Sequence, residues 1–317
     1  MLTRRNLLQA GSAATLGGAC RARDHSVVRM GFMTNLTHAP AMLGLASGRI
    51  ERMLGARIET RSFRAGPRVL EAIVGDAIDV GVSGPAAIVY THARHPGLLR
   101  VVCGCSSGGA SFVITSASRI AGARDLRGKT LATTQIGTTQ DVSLRKYIRN
   151  HGYEPSERGG DVTVRALDPM TILTEMRRGA LDGAWLPEPW ATRVVIDAGA
   201  IRLVDERDLW PNRMFPTALV VASGNFIAQW PALVPRLVAA MREEVDLAIR
   251  SPVDARVAAR EELGRLTGKK LPAPIVEEAW RFIDLTSDPL AEALDSIAED
   301  ARALGLVPRV SCKSLFG

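Results

Sequence analysis

The sequence predicts an α/β protein of two similar lobes joined by a two-strand hinge. Three observations carry that expectation. Strand-like and helix-like segments alternate, as in parallel-type sheets. Helix after helix ends on glycine, the residue that accepts the left-handed turn at a helix end. The pattern also returns after a shift of 104 residues, which sets Gly48 on Gly152, Gly55 on Gly159, Ile58 on Val162, Glu71 on Glu175, Gly75 on Gly179 and Pro85 on Pro189. Asp79 and Asp182 match with a slip of one residue.

In the first copy, residues 27–33 read as a strand and 39–53 as a helix ending near Gly55. Residues 57–63 alternate as a strand, 67–74 form a short amphipathic helix closed by Gly75, and 78–82 are a buried strand. The second copy repeats the plan: strand 129–134, helix 139–150, strand 161–167, helix 170–178 closed by Gly179, and strand 181–186. Between the copies, Leu99–Cys103 is a strand followed by a turn at 106–110. Strand-like Ser111–Thr115 leads out of the first lobe and Ala218–Ala222 leads back. After 224 the pattern is helical, over Trp230–Arg250, Asp254–Leu266, Pro274–Phe282 and Pro289–Leu304, with prolines near the starts. These helices are expected to pack on the first lobe. The domain plan is therefore 1–20 as an export signal, 27–116 plus 221–317 as lobe 1, and 117–220 as lobe 2.

Composition narrows the function. The 317 residues are 46% hydrophobic and 23% charged, which excludes a disordered chain. No stretch after residue 20 reaches the roughly 18 unbroken apolar residues of a membrane helix. The net charge of +7 comes almost wholly from arginine, scattered rather than striped. That scatter and the 5% of aromatics argue against nucleic-acid binding.

The first twenty residues read as an address. Thr3-Arg4-Arg5-Asn6-Leu7-Leu8, followed by an Ala- and Gly-rich apolar stretch, resembles a twin-arginine export signal. Cys20 follows Gly17-Gly18-Ala19, as in a lipobox, but Leu16 lies one place too far upstream for a clean match. Lipidation of Cys20 and simple cleavage are both open. Cys103 and Cys105, two apart on a strand, share a face and cannot bridge one another, so they read as small core residues.

Ligands of open α/β sheets sit beyond the carboxyl ends of the strands. That rule selects Asn35, Leu36, Thr37 and His38 after the first strand, and Ser83, Gly84 and Pro85 after the third. The repeat then selects Thr138, Thr139 and Gln140, and Glu188 with Trp190. A fifth loop holds Ser107, Gly108 and Gly109, where two glycines let a ligand approach the backbone. Asn35 and Thr138 stand where helices start, and such starts bind anions; plain capping is the competing reading. Glu188 can accept from a substrate ammonium or hold a bond between lobes, and Trp190 can line a site or simply pack. The four paired loops carry no arginine, so N–H and hydroxyl donors are expected to hold an anion, with His38 as a helper and Arg64 and Arg213 at the rims. His92 and His95 read as a helix end, not half of a metal site. No nucleophile elbow, phosphate loop or zinc motif occurs, so no catalytic set, metal or cofactor is expected.

Taken together, Thr34-Asn35-Leu36-Thr37-His38-Ala39-Pro40, Gly75-(x)3-Asp79-(x)4-Gly84-Pro85, Gly137-Thr138-Thr139-Gln140-Asp141 and Gly179-(x)2-Asp182-Gly183-Ala184-Trp185-(x)2-Glu188-Pro189-Trp190 resemble the periplasmic solute-binding components of ABC importers in the aliphatic-sulfonate, taurine and nitrate family. The resemblance implies a type II periplasmic binding protein fold. It also implies capture of a small anion or zwitterion between the lobes, and delivery to a permease and its ATPase subunits by a monomer in the periplasm or on the outer face of the membrane. A pyrimidine-precursor (thiamine-related) binding protein or enzyme on the same fold is the alternative. The export signal and the absence of a cysteine-rich segment weigh against the enzyme. A transcription regulator would need an N-terminal helix-turn-helix, which residues 1–26 do not supply.

Overall fold

The computed structural model describes residues 27–316. The export segment 1–20 and Cys20 lie outside them. The first lobe opens with β1 (Val27–Met33), α1 (Ala39–Ala46), α2 (Arg49–Leu54), β2 (Arg57–Phe63), α3 (Gly66–Val74), β3 (Val80–Ser83), α4 (Pro85–Arg94) and β4 (Leu99–Gly108). The one helix expected over 39–53 is two, because Gly48 takes a left-handed φ of 66° and turns the chain between α1 and α2. The second lobe comprises β5 (Ala110–Ile114), β6 (Thr130–Thr133), α5 (Thr139–Asn150), β7 (Thr163–Ala166), α6 (Pro169–Arg177), β8 (Gly183–Pro187), α7 (Trp190–Ala198) and β9 (Ile201–Asp205). The chain then returns as β10 (Pro216–Ser223), α8 (Gly224–Gln229), α9 (Leu233–Arg250), α10 (Pro252–Thr267), α11 (Ala273–Trp280), β11 (Ile283–Leu285) and α12 (Ala291–Ala303).

Each lobe holds one sheet. Their orders are β11-β4-β10-β3-β1-β2 and β7-β6-β8-β5-β9. Within each, three strands are parallel, β1 with β2 and β3, and β6 with β7 and β8. The antiparallel strands are those next to the crossings: β10 pairs with β3 and β4, and β5 pairs with β8 and β9.

The crossings lie earlier than expected. Ser106–Gly108 continues β4, paired to β10 and β11, where the Ser- and Gly-rich composition had suggested a turn. β5 belongs wholly to the second sheet and β10 wholly to the first. The chain thus crosses at Gly108–Gly109 and again between Asp205 and Pro216, instead of near 115–119 and 217–224, and the lobe limits expected at 116/117 and 220/221 move with it. Gly108 and Gly109 have φ of 66° and 70°. A Cβ on Gly108 would stand 2.6 Å from Arg207 Cδ and 2.8 Å from the Phe282 carbonyl oxygen. The crossing therefore needs glycine both for its backbone and for the close approach of its neighbours.

The repeat is physical. The Asp79 carboxylate accepts the Arg29 amide at 2.8 Å, and its own amide donates to the Arg29 carbonyl at 2.8 Å. Asp182 does the same with Thr130, at 2.8 Å in both directions. Each aspartate ties the third parallel strand of its lobe to the first. The Asp79 pair is the stronger, since its carboxylate is fully buried and bonded to the Arg29 guanidinium as well.

The first-lobe core packs Phe32, Met42, Phe226 and Met241 between the sheet and α1, α8 and α9, with Cys103 and Cys105 in the same cluster as free thiols. Each such side chain contributes about 2–3 kcal/mol on burial. In the second lobe Trp185 stacks on Phe112 at 5.6 Å and donates from Nε1 to Glu206 at 2.7 Å.

The C-terminal helices do not all pack on the first lobe. α9 and α10 lie on α1, but α11 meets α7 of the second lobe and α12 meets both α4 and α5. Two ion pairs accompany this span, Lys146–Asp300 at 2.6 Å and Arg207–Asp284 at 2.9 Å. The helix expected to run to Phe282 ends at Trp280, and β11, only three residues and too short to show a period, follows it unforeseen. Among the described residues no helix is long and apolar enough to cross a membrane.

Candidate functional site

A cleft of about 550 Å³ lies where the carboxyl ends of both sheets' parallel strands meet. Its wall takes Met33–Asn35 from the end of β1, Phe63 and Arg64 from the end of β2, and Gly84 after β3. From the other lobe it takes Thr134 and Gln135 after β6, Asp168 after β7 and Pro187 at the end of β8. The strand-end rule is thus obeyed six times.

The same turns start helices. Gly66 opens α3, Gly84 precedes α4, Thr138 precedes α5, Asp168 caps α6 and Trp190 opens α7, and all five residues line the cleft. Each helix start brings roughly half a positive charge to the space, although first-turn amides of α4, α6 and α7 are already taken, by Thr139, Asp168 and Glu188. Thr138 does not cap α5, because its hydroxyl donates to the Gln135 carbonyl at 2.8 Å. Asp168 does cap α6, accepting the Met170 and Thr171 amides at 3.1 Å each and the Thr171 hydroxyl. The Thr171 hydroxyl bond holds its carboxyl below the ordinary range.

Among the described residues, one hydrogen bond joins the lobes across the cleft. Thr139 Oγ1 accepts the Ala86 amide at 3.3 Å, so the start of α5 caps the start of α4. Arg64 is exposed on the wall, with no ion pair among the described residues. It is the cation the loops lacked. Arg213 is ion-paired to Asp205 and Asp208 and is no part of the wall.

Of the residues expected from the sequence, the structure brings Asn35, Thr37, Gly84, Thr138, Thr139, Gln140 and Trp190 together. Asn35 also follows the competing reading, since its Oδ1 accepts the Thr37 amide at 3.1 Å and the Thr37 hydroxyl at 3.2 Å. The others are not on the wall. Leu36 is core. His38 is fully buried, its Nδ1 facing the Met33 amide at 3.4 Å, and burial pushes the imidazole down to about 3, so it brings no charge to an anion. Ser83 is buried and donates to the Gly66 carbonyl, while Pro85 is buried in the first turn of α4.

Ser107, Gly108 and Gly109 serve the crossing. The Ser107 hydroxyl accepts the Phe215 amide, the Gly108 amide donates to the Phe215 carbonyl, and the Gly109 amide donates to the Phe282 carbonyl. Gly108 admits the close approach of Arg207 and Phe282, and Gly109 that of Ile283 and Thr37. Glu188 is fully buried, paired to Arg202 at 2.7 Å and accepting the Thr192 amide at 3.1 Å. Burial pushes its carboxyl up, and Arg202 opposes that shift. The Arg202 guanidinium also lies over the Phe282 ring at 3.6 Å. Glu188 and Arg202 both belong to the second lobe, so their ion pair does not join the lobes; only the Arg202 guanidinium, over Phe282, faces the first lobe.

The sequence reading missed Phe63, Thr134, Gln135, Asp168, Met170 and Thr217 on the wall. Phe63 ends one expected strand and the Asp168-Pro169 dipeptide directly follows another, so applying the strand-end rule to every strand would have found them. Thr217 follows no such signal, because it comes to the wall by the crossing. His92 is buried against Ser311 and Ser314, and no group of three His, Cys, Asp or Glu among the described residues is placed to hold a metal.

Residues 21–260 match the NMT1-like family. A candidate binding protein of Brucella abortus (strain 2308) is 26% identical over 301 residues, covering 92% of this chain and 87% of that one. The alkanesulfonate-binding protein SsuA from Xanthomonas axonopodis pv. citri, solved bound to MOPS, superposes with a TM-score of 0.71 at 21% identity, covering 91% and 96% of the two chains. The periplasmic nitrate-binding protein NrtA from Synechocystis PCC 6803 does so with a TM-score of 0.76 at 14% identity, covering 91% and 84%. At these identities the likeness to the two solved structures is one of fold.

Proposed function

Because the chain belongs to the NMT1-like family and shares its fold with periplasmic binding proteins, we propose that it is the solute-binding component of an ABC importer. It captures a small sulfonate- or nitrate-like anion or zwitterion between its lobes and delivers it to the permease. The observation that carries this reading is the convergence of five helix starts and Arg64 on one cleft between two lobes. That field suits an oxyanion. The wall contains no His, Cys or Lys, which suits binding without a covalent step. A solute that bridges the lobes favours the closed form by its differential affinity for that form. The relatives' names support the choice of anion, and the MOPS-bound neighbour extends it to sulfonates that carry a ring. Export by the twin-arginine-like segment, anchoring through Cys20 and a monomeric state complete the proposal.

The test is a thermal-shift panel of sulfonates, taurine, nitrate, bicarbonate and aminopyrimidines. A true ligand at a hundred times its Kd should add about 2.7 kcal/mol of stability. The shift should shrink in Thr138→Ala. No shift with any anion in the panel sinks the reading.

A further inference from the structure

Two aromatic rings line the cleft from opposite lobes, Phe63 at the end of β2 and Trp190 at the start of α7. Each has an arginine on one face. The Arg61 guanidinium lies 5.2 Å from the Phe63 centroid, and the Arg193 guanidinium lies 4.4 Å from the Trp190 centroid. Arg193 is held in turn by contacts to Met170 Sδ at 3.7 Å and to the Asp197 carboxylate at 3.6 Å. Each ring is therefore backed by a guanidinium and reaches the cleft wall. A cation behind a ring draws on its π density. A second cation is then disfavoured at that ring, while a neutral aromatic face can still stack on it.

Size agrees. A bare oxyanion of four or five heavy atoms leaves most of 550 Å³ empty. A benzene ring occupies an engineered cavity of about 150 Å³, so the cleft has room for a ring, an oxyacid head and water. Arg64, next to Phe63 in the chain and unpaired among the described residues, supplies a cation for the head. Asp168 is the one carboxylate on the wall, and its oxygens are occupied by α6 and Thr171.

The geometry points to a planar aromatic anion as the solute: one ring carrying one sulfonate or carboxylate, held between Phe63 and Trp190 with its head toward Arg64. This assignment rests on the binding-protein reading above and narrows its ligand.

The experiment is a calorimetric titration of the full chain with benzenesulfonate, benzoate, methanesulfonate, taurine and nitrate. Benzenesulfonate is expected to bind at least about tenfold tighter than methanesulfonate, a ratio within reach of ring stacking plus burial. Phe63→Leu and Trp190→Leu should erase the ratio while methanesulfonate binding persists, and Arg64→Ala should weaken both sulfonates. Arg193→Gln keeps the indole and removes the cation behind it, so it reads the effect even if Trp190→Leu folds poorly. Methanesulfonate, taurine or nitrate binding as tightly as benzenesulfonate overturns the aromatic assignment and leaves the anion-binding reading intact. Binding of none of the five overturns both.

Discussion

Thr139 Oγ1 accepts the Ala86 amide across the cleft at 3.3 Å, so a side chain of one lobe caps a helix of the other. Both groups are buried, and the bond exists only while the lobes are together. Thr139→Val keeps the shape and removes the acceptor. We expect the closed form to lose about 1 kcal/mol and the apparent Kd for a shifting ligand to rise roughly fivefold. Calorimetric titration decides it, and an unchanged Kd would mean the bond plays no part in closure.

Gly84 sits against the same hydroxyl, where a Cβ would stand 2.8 Å from Thr139 Oγ1. Its φ of −74° suits any residue, so the objection to a side chain is steric alone. Gly84→Ala should act as a wedge. Small-angle scattering should find it more open at saturating ligand, with its melting temperature almost unchanged. A fully closed variant would contradict the wedge.

Asp79 and Asp182 hold equivalent strand pairs in the two lobes, but only the first is fully buried. Asp79→Ala removes the charged bonds to the Arg29 amide and guanidinium, leaves Arg29 its contact with Asp76 and should cost about 2–3 kcal/mol. Asp182→Ala loses chiefly the bond to the Thr130 amide and should cost about 1–2 kcal/mol. Urea unfolding of the two variants tests the order, and equal losses would refute it.

Glu188 carries a different expectation from the one its loop position suggested. Glu188→Gln unbalances the buried pair with Arg202. It should lower stability by a few kcal/mol and leave the ratio of taurine to methanesulfonate affinities alone. A changed ratio at unchanged stability would restore a ligand role.

Glu206 is fully buried beneath Trp185 and Ser143, and burial lifts its carboxyl from the ordinary 4.5 to about 7. A raised folded-state value means the folded form binds the proton more tightly. The contribution is present below pH 4.5 and is lost as the pH rises toward 7. Glu206→Gln keeps the hydrogen-bonding shape and cannot titrate. Its stability should lack the wild-type decline between those limits, a difference of at most about 1.4 kcal/mol per pH unit. Parallel pH profiles for the two proteins would reject the assignment.

Much of the framework was legible because it is local. Gly55 and Gly179 end turns wherever they stand, and the alternation around Ile58 or Val162 needs no partner to be seen. The match of Asp79 to Asp182 also survived, since both serve one strand pairing. What escaped depends on distant contacts. Ser106–Gly108 has turn composition yet lies in a strand, because β10 and β11 flank it. Glu188 and His38 sit in site-like loops yet are buried, for reasons that lie in Arg202 and in the first-lobe core. Phe63 and Trp190 stand over a hundred residues apart, and only the meeting of the lobes makes them neighbours of one space.

The C-terminal span has a consequence for motion. α11 on α7, α12 on α5, and the Lys146–Asp300 and Arg207–Asp284 pairs all fasten one side of the second lobe. Those contacts form a spine. α12 lies on α4 as well as on α5, so this spine holds helices of both lobes together along one side, as a binding holds the covers of a book. A pair of spectroscopic labels set on α5 and α12 would then stay almost silent when ligand is added.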